Sequence, residues 1–428
     1  MKRRVGFVTR CALVVTLGII AASCSGVTPR PTVTSEPNSV PKARTADTDR
    51  ALKIGVLLPT SGSGQELSPP LLRGIDLAIQ EINDAGGVFG RPVTIIRRDE
   101  GNSVATASLA LDQFFVVDAV DAIVGPASSR IALGLRDRLT SNQMPTCSPL
   151  ATASALSSSS DNGFFFRTIP SDSLQATAIA SAIERTGGRT TTLVVPDDDY
   201  GTSFAQNLRS ELARRGLSVP TVVVYDPAAS SYRDVAARVL TGAQPDTVAL
   251  IGTGTSGANV LTALRTSGAS KTSIIVNDAL RRVGTNGKPN ANPNWLNGVE
   301  GVAPLSAAGS PDWQKRYRAL ALGTPNTFAA YAYDCVNLIA LAAVASNSEN
   351  PSKLAGAMIP TSRGGVTCST FKECSDALAD KRNIDLVGAS GSLDLDPSGD
   401  VSSGTFDDFT FDPATGGNVL KSSPIFVG

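Results

Sequence analysis

Residues 52–62 read LKIGVLLPTSG, a nearly continuous apolar run that ends at Pro59 and Gly62. Such a run is typical of a strand that is buried on both faces of a parallel sheet. The next segment, Leu71 to Ala85, carries its apolar residues at helical spacing and stops at Gly86-Gly87. A buried strand followed by an amphipathic helix is the repeating unit of α/β folds.

The same alternation continues along the chain in two series, which are separated near Phe166 to Ser171. We therefore predict an α/β protein with two doubly wound, Rossmann-like lobes, whose parallel sheets are covered on both faces. The further elements predicted for the first series are strands 93–96 and 122–124 and helix 104–117. Those predicted for the second series are strands 191–195, 221–225, 247–251 and 273–276 and helices 200–216, 232–241 and 256–267.

The composition excludes several kinds of chemistry. The 428 residues include no histidine, so Ser-His-Asp triads, histidine general bases and histidine metal sites are excluded. The chain has 38 basic and 38 acidic residues, and this balance gives no reason to expect nucleic acid as a partner. Hydrophobic residues make up 42%, which is typical of a folded chain.

The first 23 residues have the pattern of a signal peptide. A basic start is followed by 12 uncharged residues, Cys11 to Ala22, too few for the roughly 20 that span a bilayer. Residues 21–24 resemble the lipobox of bacterial lipoproteins, with Ala21 where leucine is commonest. The resemblance implies that Cys24 is lipidated and becomes the first mature residue. An ordinary cleaved signal with an incidental cysteine is the alternative.

Residues 24–50 follow as a segment of proline, serine, threonine and charged residues without an aromatic side chain. It cannot bury apolar area, so we predict a disordered tether. Cleavage before Cys24 leaves 34 basic and 38 acidic residues, a net charge of −4. We therefore predict an extracytoplasmic protein that is anchored to the bacterial cell membrane through lipid and not through charge.

Small and hydroxylated residues follow most of the predicted strands, for example Gly125 to Arg130 and Ser148 to Ala153. Ligands of open α/β sheets bind beyond the carboxyl ends of the strands, where such residues let a ligand approach backbone N–H groups. Each turn taken alone is equally typical of a helix cap or a tight turn.

The motifs along the chain resemble those of the solute-binding proteins of branched-chain amino acid ABC importers, the Leu/Ile/Val-binding-protein-like family with the type I periplasmic binding fold. The resemblance runs from about residue 52 to 415. Each motif is weak alone, and their order and spacing make the match specific. They lie at residues 54–62, 82–93, 125–129, 148–153, 166–172, 199–201 and 333–335.

The family implies a two-lobed clamp with crossovers near Pro170, near 301–304 and near 402–406. The amino-terminal lobe would comprise residues 51–170 and 302–403, and the carboxy-terminal lobe residues 171–301 and 404–428. Hinge closure would bury a ligand between them.

The family also implies a set of ligand-binding residues. Ser129 and Thr152, with the Leu150-Ala151 backbone, would hold the carboxylate and ammonium of an amino acid-like ligand. Tyr200 and Thr255 would close from the second lobe. Asp278 stands where the family has an acidic partner for the ammonium, often the longer glutamate. The ligand-binding residues carried over are Ser129, Leu150, Ala151, Thr152, Tyr200, Thr255 and Asp278.

The function implied is a monomeric substrate-binding lipoprotein that captures an amino acid-like or amide solute and delivers it to ABC permease subunits. No cofactor, metal or catalytic residue is implied. A ligand-sensing subunit of a receptor system is the first alternative. The second is a dinucleotide-binding exported enzyme, because Gly252 to Gly257 read G-x-G-x-x-G and Asp278 follows. The run Asp197 to Asp199 fits a helix cap better than a metal site.

Four cysteines remain in the predicted mature chain besides Cys24. In an exported protein they suggest two disulfides, for which three pairings exist. The most local pairing is Cys368–Cys374, which leaves Cys147 with Cys335. Two buried free thiols are the alternative for the latter pair.

Overall fold

The computed structural model describes residues 49–428, apart from 63, 158, 243, 253, 268–271, 282–292, 413 and 422. The predicted signal peptide, Cys24 and nearly all of the tether lie outside the described residues. The described residues belong to one compact unit that contains two large β-sheets and a small third one.

The first sheet is parallel and has the strand order β2-β1-β3-β4-β5. The apolar run of residues 52–58 forms β1, between two neighbours, and Ile54 and Leu58 are both buried, which confirms the predicted buried strand. The five strands are β1 (Lys53–Leu58), β2 (Thr94–Asp99), β3 (Ala122–Val124), β4 (Thr146–Ser148) and β5 (Phe165–Arg167).

The second sheet repeats this winding and adds antiparallel strands at one edge. Its order is β15-β14-β10-β9-β8-β6-β7, and β16 also pairs with β14. The strands are β6 (Thr190–Pro196), β7 (Ser218–Tyr225), β8 (Thr247–Leu250), β9 (Ser273–Val276), β10 (Val299–Pro304), β14 (Gly404–Phe411), β15 (Asn418–Leu420) and β16 (Ile425–Val427). The small sheet comprises β11 (Val366–Cys368), β12 (Ile384–Gly388) and β13 (Gly391–Ser392).

Eleven α-helices in the described residues cover these sheets. The predicted helix 104–117 is α-helical only to Gln113 and continues as a π-helical turn, Phe114–Asp118. The helices are α1 (Ser68–Asp84), α2 (Val104–Gln113), α3 (Ser129–Ser141), α4 (Asp172–Arg185), α5 (Asp199–Arg214), α6 (Arg233–Leu240), α7 (Gly254–Thr266), α8 (Pro311–Ala321), α9 (Ala329–Ser346), α10 (Pro351–Ser362) and α11 (Phe371–Ala379).

Helix α9 is the central helix of the first lobe. Among the described helices it alone has the length and apolar composition to cross a membrane, but 83% of its residues are buried inside the lobe. It lies so close to α1 that a Cβ atom on Gly74 would meet the Ala329 carbonyl oxygen at 2.2 Å. Glycine at position 74 is therefore required by this helix contact.

Three connections join the two lobes, as the fold implies. They are residues 168–171 after β5, residues 305–310 after β10 and the segment from 393 to 403 before β14. The predicted second crossover, 301–304, is the end of β10, so the chain leaves the sheet only at Leu305. The division into 51–170 with 302–403 and 171–301 with 404–428 remains our proposal.

Both cysteine pairs form disulfides within the first lobe, which confirms the predicted pairing. Cys147 in β4 is bonded to Cys335 in α9, with a Cα–Cα distance of 5.6 Å. Cys368 is bonded to Cys374 across the start of α11, with a Cα–Cα distance of 5.3 Å. The first of these joins the sheet to the core helix immediately before Ser148.

Candidate functional site

The site predicted from the strand order lies at the carboxyl ends of the parallel strands. In each lobe the first and third strands of the series are neighbours, and open α/β sheets bind ligands at this switch point. The loops after β1 and β3 border the crevice of the first lobe. The loops after β6 and β8 border that of the second lobe.

Ser129 organises the ligand loop, which we define as residues 150–153. It is the first residue of α3, and its Oγ accepts hydrogen bonds from the backbone N–H groups of Thr152, at 3.1 Å, and Ala153, at 3.2 Å. The N–H of Ala151 donates to Ser148 Oγ at 2.9 Å. These three N–H groups thus already have partners within the first lobe.

Glu100 stabilises the turn that precedes Ser129. Its buried carboxylate accepts hydrogen bonds from Ala127 N–H at 2.7 Å and Ser128 N–H at 2.9 Å, in the turn that leads to Ser129. Burial raises the pKa of Glu100 to about 7, against the effect of these two bonds. Glu100 therefore holds the start of α3 in place.

Tyr200 and Asn277, both in the second lobe, form a hydrogen bond at the candidate site. The Asn277 side-chain N–H donates to the Tyr200 hydroxyl at 3.0 Å, and Asn277 Oδ1 accepts from Gly252 N–H at 2.9 Å. Asn277 is fully buried, whereas Tyr200 is half-buried. Asn277 therefore joins the loops after β8 and β9 and orients the Tyr200 ring at the start of α5.

Asp172 and Gln175 are the most unusual groups of the site. They lie one turn apart on α4, at the first crossover, and each is 1% exposed. Neither carboxylate oxygen of Asp172 accepts a hydrogen bond of normal geometry from the described residues, although the Thr152 hydroxyl lies close enough to lower the pKa of Asp172, and Gln175 Oε1 has no partner among these residues. The Gln175 side-chain N–H groups donate to Asp278 Oδ1 and to the Val302 carbonyl oxygen, both at 2.9 Å. Buried acceptors without donors are rare in proteins and costly.

The electrostatics of these groups are coupled. Burial and the neighbouring Asp278 carboxylate raise the pKa of Asp172 to about 7, while the Arg167 charge and the Thr152 hydroxyl oppose this rise. Burial also raises the pKa of Asp278. Burial and both carboxylates raise the pKa of Tyr200. The site is thus rich in acceptors, and a cation or N–H donor would relieve the repulsion between its carboxylates.

The structure brings together most of the residues carried over from the family. Thr152 and Asp278 both shift the pKa of Asp172, and the Asp172 carboxylate raises that of Tyr200, so these groups are close enough to interact electrostatically. Leu150 is half-buried, and Ala151 is fully buried, with its carbonyl oxygen facing Arg167. Thr255 is exposed in the first turn of α7. Its role stays a prediction.

The glycine-rich and acidic motifs have structural explanations. A Cβ atom on Gly257 would meet Gly252 Cα at 2.7 Å, so these glycines allow α7 to pack against the end of β8 and Leu280. Asp198 caps α5 by accepting from Gly201 N–H at 2.8 Å. Within the run Asp197 to Asp199, Asp198 is thus the N-cap and Asp199 the first residue of α5.

The sequence motifs do not indicate Asp172, Gln175, Asn277 or Glu100 as candidate site residues. Asp172 is only the last residue of the motif at 166–172. The sequence does contain one signal for two of them. Asp172 and Gln175 are three positions apart, so on a helix their side chains lie on the same face. That both are buried depends on the opposite lobe, which the pattern does not show.

The comparisons with known proteins agree with this architecture. The family model described as periplasmic binding protein matches residues 51–362. The chemotactic signal transduction system substrate-binding protein BasB of Halobacterium salinarum is 30% identical over 360 residues, which are 80% of this chain and 83% of that protein.

Solved structures show the same fold. The isoleucine complex of LivJ, a branched-chain amino acid transporter substrate-binding protein of Streptococcus pneumoniae, has a TM-score of 0.67 at 20% identity, covering 88% of this chain and 99% of that one. A solute-binding protein of an ABC transporter from R. palustris, in complex with 4-hydroxybenzoate, has a TM-score of 0.66 at 17% identity, covering 88% and 97%. The chain therefore belongs to the periplasmic binding protein family.

Proposed function

We propose that the protein captures a small solute with an ammonium or amide N–H group, of the amino acid or amide class, and delivers it to an ABC permease. The observation that carries this proposal is the buried carboxylate of Asp172, which accepts no hydrogen bond of normal geometry from the described residues and is repelled by Asp278. A bound ammonium would supply the missing donors and separate the two negative charges. The isoleucine complex of LivJ supports the amino acid class.

A thermal-shift screen of amino acids, their amides and small carboxylates tests this ligand class. A ligand at 100 times its Kd stabilises the folded state by about 2.7 kcal/mol, which corresponds to roughly 3 °C for a chain of this length. We expect such a shift with a solute that bears an N–H donor. A shift with 4-hydroxybenzoate, and none with any ammonium or amide, would contradict the proposal.

We further propose that the mature protein is a monomer anchored to the outer face of the cell membrane through lipid on Cys24. The sequence of residues 21–24 supports this anchor. Wild-type protein should partition into the detergent phase of cell extracts, and the Cys24→Ala variant into the aqueous phase. Equal partitioning of both would refute the anchor and leave the ligand site unaffected.

A second candidate function is a ligand-sensing subunit of a signalling system. The similarity to BasB, a substrate-binding protein of a chemotactic signal transduction system, favours it. Both functions use the same ligand site. Deletion of the gene should abolish solute uptake if the protein serves an importer, and only the behavioural response to the solute if it serves a sensor.

A further inference from the structure

Arg167 is a fully buried cation that contacts three segments of the site. It is the last residue of β5, directly before the first crossover, and its side chain is 0% exposed. The backbone N–H of Arg167 donates to the carbonyl oxygen of Gly399, in the third crossover, at 3.0 Å. Arginine at this position therefore lies where two of the three connections between the lobes meet.

All the N–H groups of the Arg167 guanidinium donate hydrogen bonds. Nε and Nη2 donate to the two oxygens of Asp400 at 2.6 and 2.7 Å, and Nη2 also donates to Ser157 Oγ at 2.6 Å. Nη1 donates to the carbonyl oxygens of Ala151 and Ala153, both at 3.1 Å. A guanidinium has five N–H groups, and these five contacts account for all of them.

The ligand loop is thereby held from two sides. Ser129 Oγ binds its N–H groups, as described above, and Arg167 binds the carbonyl oxygens of Ala151 and Ala153. The carbonyl oxygen of Thr152, between these two, accepts from Asp172 N–H at 2.8 Å. A shift of Arg167 would therefore displace the loop and the start of α4 together.

Asp400 is itself held in a tight turn. Its N–H donates to Asp396 Oδ1 at 3.1 Å, and its carbonyl oxygen accepts from Asp396 N–H at 2.8 Å. Asp400 is 5% exposed, so its charge depends on Arg167 for compensation. The salt bridge thus ties the ligand loop to the segment that enters β14.

We propose that Arg167, held by Asp400, is a positioning residue that sets the geometry of the ligand loop and couples it to the third crossover. The inference rests on the proposed function in so far as this loop receives the solute. Lysine at position 167 would keep the charge but offer three donors from one atom. It cannot serve Asp400 and both loop carbonyl groups at the same time.

Hydrogen exchange of the mature chain without added ligand tests this inference. In Arg167→Lys, we expect the amides of Thr152, Ala153 and Asp172 to exchange at least tenfold faster, while those of β8 keep wild-type rates. The matched control is Arg185→Lys, which weakens the ion pair of Arg185 with Asp408 at the other end of α4. It should leave the ligand loop unchanged.

Two results would overturn the proposal: unchanged exchange of the loop in Arg167→Lys, or equal acceleration of all amides, which indicates only a loss of stability. If Arg167→Lys does not fold, Ser157→Ala removes one partner of Arg167 and should accelerate the same loop to a smaller degree. Calorimetric titrations with the amino acids and amides of the thermal-shift screen accompany the exchange. Failure of wild-type protein to bind any of them would count against the proposed function, while the exchange result would still decide the role of Arg167.

Discussion

Asp172→Asn should weaken solute binding at least 100-fold and at the same time stabilise the unliganded protein. The two effects have one cause, a buried carboxylate that accepts no hydrogen bond of normal geometry from the described residues. When ligand binds, this charge pairs with the ammonium, and breaking a buried pair costs about 3–5 kcal/mol. Without ligand, the charge is only desolvated and repelled by Asp278, so its removal is favourable.

The stabilising effect has a defined pH dependence. The pKa of Asp172 is raised from 3.8 to about 7 in the folded state, so ionisation disfavours folding. The free energy of unfolding of the wild type therefore falls as the pH rises from about 4 to about 7, by up to roughly 4 kcal/mol from this group. Asp172→Asn lacks this contribution. Its advantage should vanish near pH 4 and be complete above pH 7.

Urea unfolding at pH 4, 6 and 8, combined with calorimetry of the solute found in the screen, measures both effects. The control is Asp137→Asn, because the Asp137 side chain is 97% exposed. This substitution should change neither the solute affinity nor the free energy of unfolding. Asp278→Asn should weaken binding less than Asp172→Asn, because Gln175 already donates to one oxygen of Asp278. Unchanged affinity in Asp172→Asn would refute the proposed role of this carboxylate.

Removal of the Cys147–Cys335 disulfide should cause the largest loss of stability. The bond joins residues 188 positions apart, so its loss releases a very long loop in the unfolded chain. Chain entropy predicts a loss of about 5 kcal/mol, or roughly 6 °C in Tm, for Cys147→Ala with Cys335→Ala. Both sulfur atoms are buried, and alanine avoids placing a hydroxyl group in the core.

The other disulfide provides the matched control. Cys368 and Cys374 are only 6 positions apart, so Cys368→Ala with Cys374→Ala should cost about 2 kcal/mol. Scanning calorimetry of both double variants and the wild type gives the comparison. An equal or larger loss from the short loop would contradict the entropic explanation. Because Cys147 precedes Ser148, which accepts from Ala151 N–H, the first variant should also bind solute more weakly.

The fold was predictable because its signals are local. Residues 52–58 are apolar on both faces, so they fit only the interior of a sheet, and strand 273–276 was predicted with its observed bounds. The short strands β4 and β5, of three residues each, were not predicted as strands. β3 is equally short, but its residues Ala-Ile-Val are all apolar and indicate a strand. β4 (Thr-Cys-Ser) and β5 (Phe-Phe-Arg) contain polar residues, and only their pairing with distant neighbours makes them strands.

The site was predictable only in part. Tyr200 and Asp278 follow strands at recognisable motifs, and their role in ligand binding stays a prediction. The hydrogen bonds that Ser129 Oγ accepts from the backbone N–H groups of Thr152 and Ala153 could not be predicted, because they depend on where α3 meets the ligand loop. The same holds for Arg167 and Asp400, which are 233 residues apart and form one ion pair.

The sequence by itself determined the α/β class, the two series of strands and the ends at which a ligand can bind. It did so because burial on both faces and helical spacing are properties of neighbouring residues. Only the tertiary structure decided which acceptor atoms at these strand ends accept no hydrogen bond within the protein. In the sequence Asp172 looks like an ordinary residue at the start of a helix, and only the fold brings it within electrostatic reach of Asp278, Tyr200 and Thr152. Desolvation and charge repulsion arise from groups distant in the chain, and they alone make this carboxylate the centre of the proposed site.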